Sequence, residues 1–193
     1  MSEIKVLIEG YAREIHSGWR ASSTVTLIKA GGKNIIVDPG CNRKKLILAL
    51  GKEKLKTGDI DFVLLTHNHA DHSLLAGIFQ NAKVLTTEEI YDNDNQIAHN
   101  NKIPGTDLKI MQTPGHCSEH CSLIVTAAKG VYAIAGDVFW WTNDEDGHAD
   151  IEKEDSAHPN EVNMRALIES RKKILELADY IIPGHGKMFR VDK

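Results

Sequence analysis

Ile60-Asp61-Phe62-Val63-Leu64-Leu65-Thr66 runs directly into His67-Asn68-His69-Ala70-Asp71-His72. The first seven residues are apolar through their middle, the pattern of a strand buried on both faces. The next six carry four side chains able to bind a metal ion: His67, His69, Asp71 and His72. No regular element aims four such close neighbours at one point. A loop at a strand end can splay them, so that two serve one ion and two another. Imidazole with carboxylate suits zinc, iron or manganese, whereas calcium prefers an all-oxygen shell. A lone His-x-His pair reads as a solvated turn; this full set reads as a metal site.

Upstream, the chain reads as β structure. Residues 3–11 are rich in apolar side chains, and residues 24–30 and 33–38 flank Gly31-Gly32, a two-residue hairpin signal. Asp38-Pro39-Gly40 stops the second of these strands, and residues 43–50 predict a short helix. Downstream, residues 73–79 predict another short helix and 83–86 a brief strand. Residues 92–101, dense in Asp and Asn, read as a loop. Residues 108–113, 122–127 and 131–135 predict three strands, the last two joined near Lys129-Gly130.

Residues 142–158 are acidic and poor in apolar side chains, so a surface insertion is expected there. Pro159 sits where a helix could begin. From there Met164, Leu167, Ile168, Leu175 and Ala178 recur at helical spacing and define a buried face. Residues 180–182 predict a closing strand, stopped by Pro183-Gly184. Strand runs separated by helices in both halves, with no repeat or linker, predict one α/β domain over residues 1–193 with its sheets covered by helices.

The bulk composition excludes more than it identifies. At 193 residues, 41% apolar and 26% charged, the chain is long enough for a substantial core and too apolar for disorder. A formal charge of −4 weighs against a general nucleic-acid binder and gives no indication of RNA as a partner. The first ten residues hold no signal-peptide core, and no run approaches membrane-spanning length. Cys41, Cys117 and Cys121 are odd in number and make no disulfide framework. A cytoplasmic setting without a membrane partner is expected.

The string His-x-His-x-Asp-His after a buried strand resembles the motif of the metallo-β-lactamase superfamily. Further matches follow in order: Thr113-Pro114-Gly115-His116, then Ala135-Gly136-Asp137, then Pro183-Gly184-His185-Gly186. The earlier Val37-Asp38-Pro39-Gly40 resembles that family's first motif, so the resemblance spans nearly the whole chain. It implies an α/β (α+β) fold, a four-layer αββα sandwich with metals in a cleft at one edge. It also implies that His67, His69 and His116 hold one ion and Asp71, His72 and His185 the other. Asp137 would bridge both ions, and Asp38 would orient ligands or their loop. Asp71 and Asp137 would be the catalytic carboxylates.

The local chemistry agrees with that assignment. Asp137 ends an apolar strand, where a lone buried carboxylate would be costly, and bridging two cations removes the cost. His116 and His185 both follow Pro-Gly, a rigid turn that can project an imidazole. His116-Cys117-Ser118-Glu119-His120-Cys121 superficially resembles a zinc knuckle but lacks a second pair at finger spacing. By the resemblance His120 is structural. Cys117 and Cys121 read as free thiols near the cleft. His16 and His99 read as surface residues, as do His148 and His158 beside the acidic stretch, although either of the latter pair could reach a substrate. Phe139, Trp140 and Trp141 fit a cleft wall or ordinary core equally.

What the resemblance implies in function is a metal-dependent hydrolase. Two divalent ions, zinc by preference with iron or manganese as alternatives, lower the pKa of a shared water from about 16 to about 7. A metal-bridging hydroxide would then cleave a phosphodiester or a (thio)ester. No Gly-x-Ser-x-Gly or Walker-type motif offers a competing chemistry. Many β-lactamases of the superfamily carry cysteine or serine where this chain has Asp137, which argues against a β-lactam substrate. Eight residues follow His185, and no appended substrate domain is seen, so a small-molecule or short flexible substrate is expected. The run from Ser170-Arg171 to Gly186 is most similar to the small metallo-β-lactamase-domain-containing protein 1 group. A second function class shares much of the ligand set: a mononuclear iron dioxygenase acting on persulfides. The oligomeric state is not legible.

Overall fold

The computed structural model describes residues 2–143, 145–158 and 160–192. Asp144 and Pro159, both noted in the sequence, lie outside the described residues. In chain order the first strands are β1 (Glu3–Ile8), β2 (Tyr11–Ile15), β3 (Gly18–Ser22), β4 (Val25–Ala30) and β5 (Lys33–Val37). Helix α1 (Arg43–Lys52), strand β6 (Phe62–Leu64) and helix α2 (Ala70–Ser73) follow. Then come β7 (Lys83–Leu85), β8 (Glu89–Asp92), β9 (Asn95–Ala98), β10 (Lys109–Gln112), β11 (Cys121–Ala127) and β12 (Gly130–Trp140). Helix α3 (Met164–Leu177), β13 (Tyr180–His185) and β14 (Phe189–Arg190) close the chain.

Two sheets result. The first has the order β1-β4-β5-β6-β7-β8-β9, the second β10-β11-β12-β13-β14, and β2-β3 form a separate hairpin. Their faces are assigned by the period-two alternation of strand side chains. In β5, Ile35 and Val37 point into the cluster between the sheets, while Ile36 points out toward α1. In β6, Phe62 and Leu64 face inward and Val63 faces out. The second sheet repeats this: Ile134 and Ile182 meet the first sheet, whereas Ala133, Ala135 and Ile181 face α3. Apolar side chains on both faces explain why these strands read as continuous apolar runs. The layers are therefore helix, sheet, sheet, helix, as expected.

Helix α1 buries Leu46 and Leu50 on the first sheet, and Asn42 caps its first turn by accepting from Lys45 N. Helix α3 buries Leu167, Ser170, Arg171 and Ile174 along one stripe. Burying an aliphatic side chain such as Leu167 or Ile174 contributes about 1.5–3 kcal/mol. Met164, Ile168 and Leu175, expected on that face, are only half-buried, and Ala178 is fully buried just past the helix end.

Three expectations need correction. Residues 92–101 are not a plain loop: β8 and β9 pair as a hairpin, with Asn93 turning at φ 52°. Asn tolerates that left-handed conformation, so the polar run that looked like a loop is the turn of a hairpin. The helix expected at 73–79 starts earlier, at Ala70 inside the histidine motif, and continues only as a 3₁₀ turn at Ala76–Ile78. The described residues of segment 142–158 form no helix or strand, yet it is not a mere surface insertion, because Asp155 within it is buried. The β2-β3 hairpin was not anticipated, although Ser17-Gly18 between short strands was a turn signal. Among the described residues, no helix is long and apolar enough to cross a membrane.

Candidate metal centre

The strand ends converge. Strands β5 and β6 run parallel, so Asp38 and His67 leave the first sheet at the same edge. In the second sheet β12 pairs in parallel with β13, with Trp140 opposite His185 and Gly136 opposite Pro183. Carboxyl ends of parallel strands are where open α/β sheets place their ligands. Gly136 carries φ 53°, and a Cβ there would press on Thr66 Oγ1 and His120 Nε2 at 2.6 and 2.7 Å. At Gly184 a Cβ would overlap Asp137 Oδ1. Both positions therefore admit only glycine, and their small size lets Asp137 sit between the two strands.

Outer hydrogen bonds fix the orientation of four imidazoles. Buried Asp38 holds a left-handed backbone at φ 49° and accepts from Thr66 N (2.8 Å), Thr66 Oγ1 (2.7 Å) and His72 Nδ1 (2.9 Å). Because Thr66 Oγ1 donates to Asp38, it accepts from His67 Nδ1 at 3.0 Å. His116 Nδ1 donates to Asp155 Oδ2 at 2.6 Å, and His69 Nε2 to Glu161 Oε2 at 3.1 Å. Each ring thus directs one N–H outward and turns its other nitrogen inward.

Those inward nitrogens define two groups. His67 Nε2 and His116 Nε2 each lie 3.0 Å from His69 Nδ1, with Asp137 Oδ2 4.0 and 3.6 Å from the first two. On the other side, His185 Nε2 lies 3.4 Å from His72 Nε2 and 3.2 Å from Asp71 Oδ2. Asp137 faces this group too, with Oδ1 3.2 Å from His72 Nε2 and Oδ2 3.6 Å from His185 Nε2. All seven residues expected from the sequence come together, in the two sets expected. With their protons committed outward, the three nitrogens of the first group set lone pair against lone pair in a dry site. Asp137 Oδ1 is likewise buried without a hydrogen bond. A cation in each group resolves both conflicts, so the donor chemistry fits two metal ions.

Electrostatics in the metal-free protein point the same way. Burial works against every charge here, yet Asp137 and Asp38 hold His72 well above its ordinary value. His185 also overcomes burial, raised to about 9 by Asp137 and Asp71. Asp137 stays well below the carboxylate range despite burial, because His72 and His185 face it. His67, with weaker carboxylate contact, is pushed down by burial and neighbouring His72.

His120 is buried and takes a different part. Its Nε2 accepts from Asp137 N at 3.1 Å, so its proton sits on Nδ1, 3.0 Å from Thr113 Oγ1. Thr113 Oγ1 is 2.9 Å from Ser122 Oγ, which donates to Ala135 O at 3.1 Å. The relay runs from His120 through Thr113 and Ser122 to Ala135 and locks the tautomer. Burial lowers His120 to about 3, which keeps it neutral as an acceptor. It holds the backbone of Asp137, in keeping with a structural role.

The sequence reading missed Asp155 and Glu161. Neither stands in a motif, and an aspartate in an acidic coil carries no signal of burial. His158 is exposed, but its ring lies 4.1 Å from that of His69 and it borders the cleft. His148 stacks on Trp141 at 4.8 Å instead. Cys117 is half-buried and Cys121 fully buried, and burial pushes their thiols up to about 11 and about 12, so both are inert. Trp140 walls the cleft, whereas Phe139 packs in the core beneath α3. The cleft beside the two groups encloses about 340 Å³ and is lined by Ala12, Trp19, Ala21, Trp140, Ala157 and His158 together with four of the seven residues: His69, Asp71, Asp137 and His185.

An αββα sandwich with this histidine and aspartate set at its edge defines a class, and the comparisons agree. The family model of the Metallo-beta-lactamase superfamily matches residues 18–100. The chain belongs to this superfamily of metal-dependent hydrolases. It is 32% identical to Metallo-beta-lactamase domain-containing protein 1 of Xenopus laevis, over 98% of this chain and 82% of that protein. Among solved structures, a metallo-β-lactamase-type protein of Thermotoga maritima superposes with a TM-score of 0.75 at 19% identity, covering 98% of this chain and 99% of its own. AidC, a dizinc quorum-quenching lactonase solved with the product N-hexanoyl-L-homoserine, superposes with a TM-score of 0.62 at 16% identity, covering 87% and 74%.

Proposed function

We propose that this chain hydrolyses a small carboxylic ester or thioester with the aid of two metal ions, His67, His69 and His116 holding one and Asp71, His72 and His185 the other. Asp137, which faces both sets, would help to hold both ions. Zinc is the ion best suited to these nitrogen-rich sets, with iron or manganese next. When bound, the ions supply a nucleophile from water at neutral pH and neutralise charge developing on the substrate oxygen. The chain's own residues do the rest. The outer carboxylates orient the imidazoles, His120 holds the backbone of Asp137, and Trp19 and Trp140 keep one side of the cleft apolar.

The observation that carries the choice of substrate is the lining of the cleft. Apart from the donor groups and His158 its lining is alanine and tryptophan, and among the described residues no lysine or arginine borders it. Beyond the metal ions themselves, such a lining adds no cationic side chain to hold a phosphodiester's charge. An uncharged ester or thioester carbonyl with an apolar acyl group needs none. The lactonase AidC, which shares the fold, lends support from the chemistry of its product. A cleft of about 340 Å³ suits a small-molecule partner rather than a folded polymer.

The test is a panel with added zinc, manganese or iron: p-nitrophenyl acetate, an acyl-glutathione thioester, an acyl homoserine lactone, bis(p-nitrophenyl) phosphate and nitrocefin. Turnover is expected on an ester, lactone or thioester, and poor on the other two. Bis(p-nitrophenyl) phosphate cleaved faster than every carbonyl substrate would overturn the choice. Oxygen uptake with glutathione persulfide by a protein holding one iron would replace it with the dioxygenase.

A further inference from the structure

We infer that Arg171 is a positioning residue that seats the irregular residues 150–158 and thereby sets the three-histidine group, but not its neighbour. The inference rests on the ligand assignment proposed above. Arg171 lies in the middle of α3, is 1% exposed, and is the largest fully buried side chain among the described residues. Among the described residues no carboxylate bonds to it directly, although Asp155 and Asp150 lie near enough to favour its charge. Its Nε donates to Val138 O at 2.9 Å, next to Asp137, and its Nη1 donates to Ile151 O at 3.0 Å and Lys153 O at 2.6 Å. A buried cation is costly unless its donors are met, and here three backbone carbonyls accept from it, one on β12 and two on a coil.

That coil has no strand or helix to hold it, yet it delivers a side chain to the centre. Its Asp155 is buried against His116, and Glu161 beyond it reaches His69. The turn bearing His116 is fastened from the same helix, since Asn163 N donates to Gly115 O at 2.7 Å and Ser170 Oγ to Pro114 O at 2.7 Å. Ser170 therefore fastens the His116 turn, and Arg171 fastens the coil that carries its orienting carboxylate. The second group is held differently: His72 is oriented by Asp38 at the end of β5, and it meets the Arg171 clasps only through Asp137 beside Val138. Outer carboxylates of this kind typically change metal affinity by about 10–100-fold.

The experiment measures stepwise zinc affinities by chelator competition for the wild type, Arg171→Met, Arg171→Lys and Asp155→Asn. Each is also made in an Asp71→Ala background, which leaves the three-histidine group as the stronger site. Proteolysis of the metal-free proteins at Glu145, Glu152 and Glu154 reports the seating of the coil. Arg171→Met is expected to weaken one site about 10–100-fold, to weaken the single site of the Asp71→Ala protein equally, and to speed proteolysis. Arg171→Lys recovers part of both. Asp155→Asn weakens the same site, and it carries the test if Arg171→Met does not fold. Two sites weakened equally, or neither, in folded variants overturns the inference alone. A wild-type protein that takes up no zinc overturns the ligand assignment with it.

Discussion

Two stretches of this chain perform the same task by different means. Asp38 and Thr66 sit at the ends of β5 and β6, inside the core, and orient His67 and His72 through bonds of 2.7–3.0 Å. Asp155 and Glu161 belong to a coil outside either sheet and orient His116 and His69. The first pair is held by strand pairing that also builds the sandwich. The second is held by a few side-chain clasps, chiefly from α3. His67 and His72 are thus held as rigidly as the fold, and His116 and His69 only as rigidly as their clasps, so the three-histidine group draws on both. Substitutions should separate the two halves.

The largest effect is expected where the halves meet. Asp137→Ala removes the one carboxylate that faces both groups, and hydrolysis should fall by about 10³-fold or more. The fold should survive, because the lost contacts are with ligands rather than packing; elemental analysis and a melting curve check both parts. Retention of two tightly bound ions would show that Asp137 does not join the halves.

Asp38→Ala strikes the rigid half. It strands the buried donors Thr66 N and His72 Nδ1, each costing about 1–3 kcal/mol. The loss should appear as a melting temperature lower than that of Asp155→Ala, even with both proteins metal-free. Equal melting temperatures would erase the distinction between core-held and clasp-held carboxylates.

Within one motif, His116→Ala should lose the ion of the three-histidine group. His120→Ala should keep both ions and lose stability of about 1–3 kcal/mol, the penalty of leaving Asp137 N without an acceptor. Metal content after dialysis separates the two. Equal loss of metal would make His120 a ligand.

The smallest effect lies on the cleft wall. Trp19 is 51% exposed and meets Trp140 edge-on at a centroid distance of 6.4 Å. Trp19→Ala should leave stability within about 0.5 kcal/mol of the wild type. It should raise KM several-fold for longer acyl chains and leave short ones unchanged. A uniform change across chain lengths would remove Trp19 from the acyl-binding wall.

The donor set was legible because its residues cluster in one motif or interrupt apolar runs, although Asp137 lies inside β12 rather than at the strand end expected for it. His67, His69, Asp71 and His72 are neighbours in sequence, and His116, Asp137 and His185 each follow a turn signal or an apolar strand. The layered fold was legible for a related reason, since strands buried on both faces leave continuous apolar runs. The β8-β9 hairpin was hidden by its own turn residues. Arg171 carried a partial signal: with Leu167, Ile174 and Ala178 it falls on the helical stripe at i, i+4, i+7 and i+11. Polarity argued it outward, and only its backbone partners explain why it points in.

By itself the sequence determined which side chains can bind metal, their order, and the alternation that sorts strand residues between the two sheets and their helices. These follow from local chemistry and from periodicities of two or 3.6 residues. Only the tertiary structure decided that β12 would run parallel to β13, bringing Asp137 against His185 across 48 residues of chain, and that Asp155 would be buried on His116. Neither contact has a local signal. Each exists because packing closes a long loop, and the energy that closes it is spread over the core rather than written at either end.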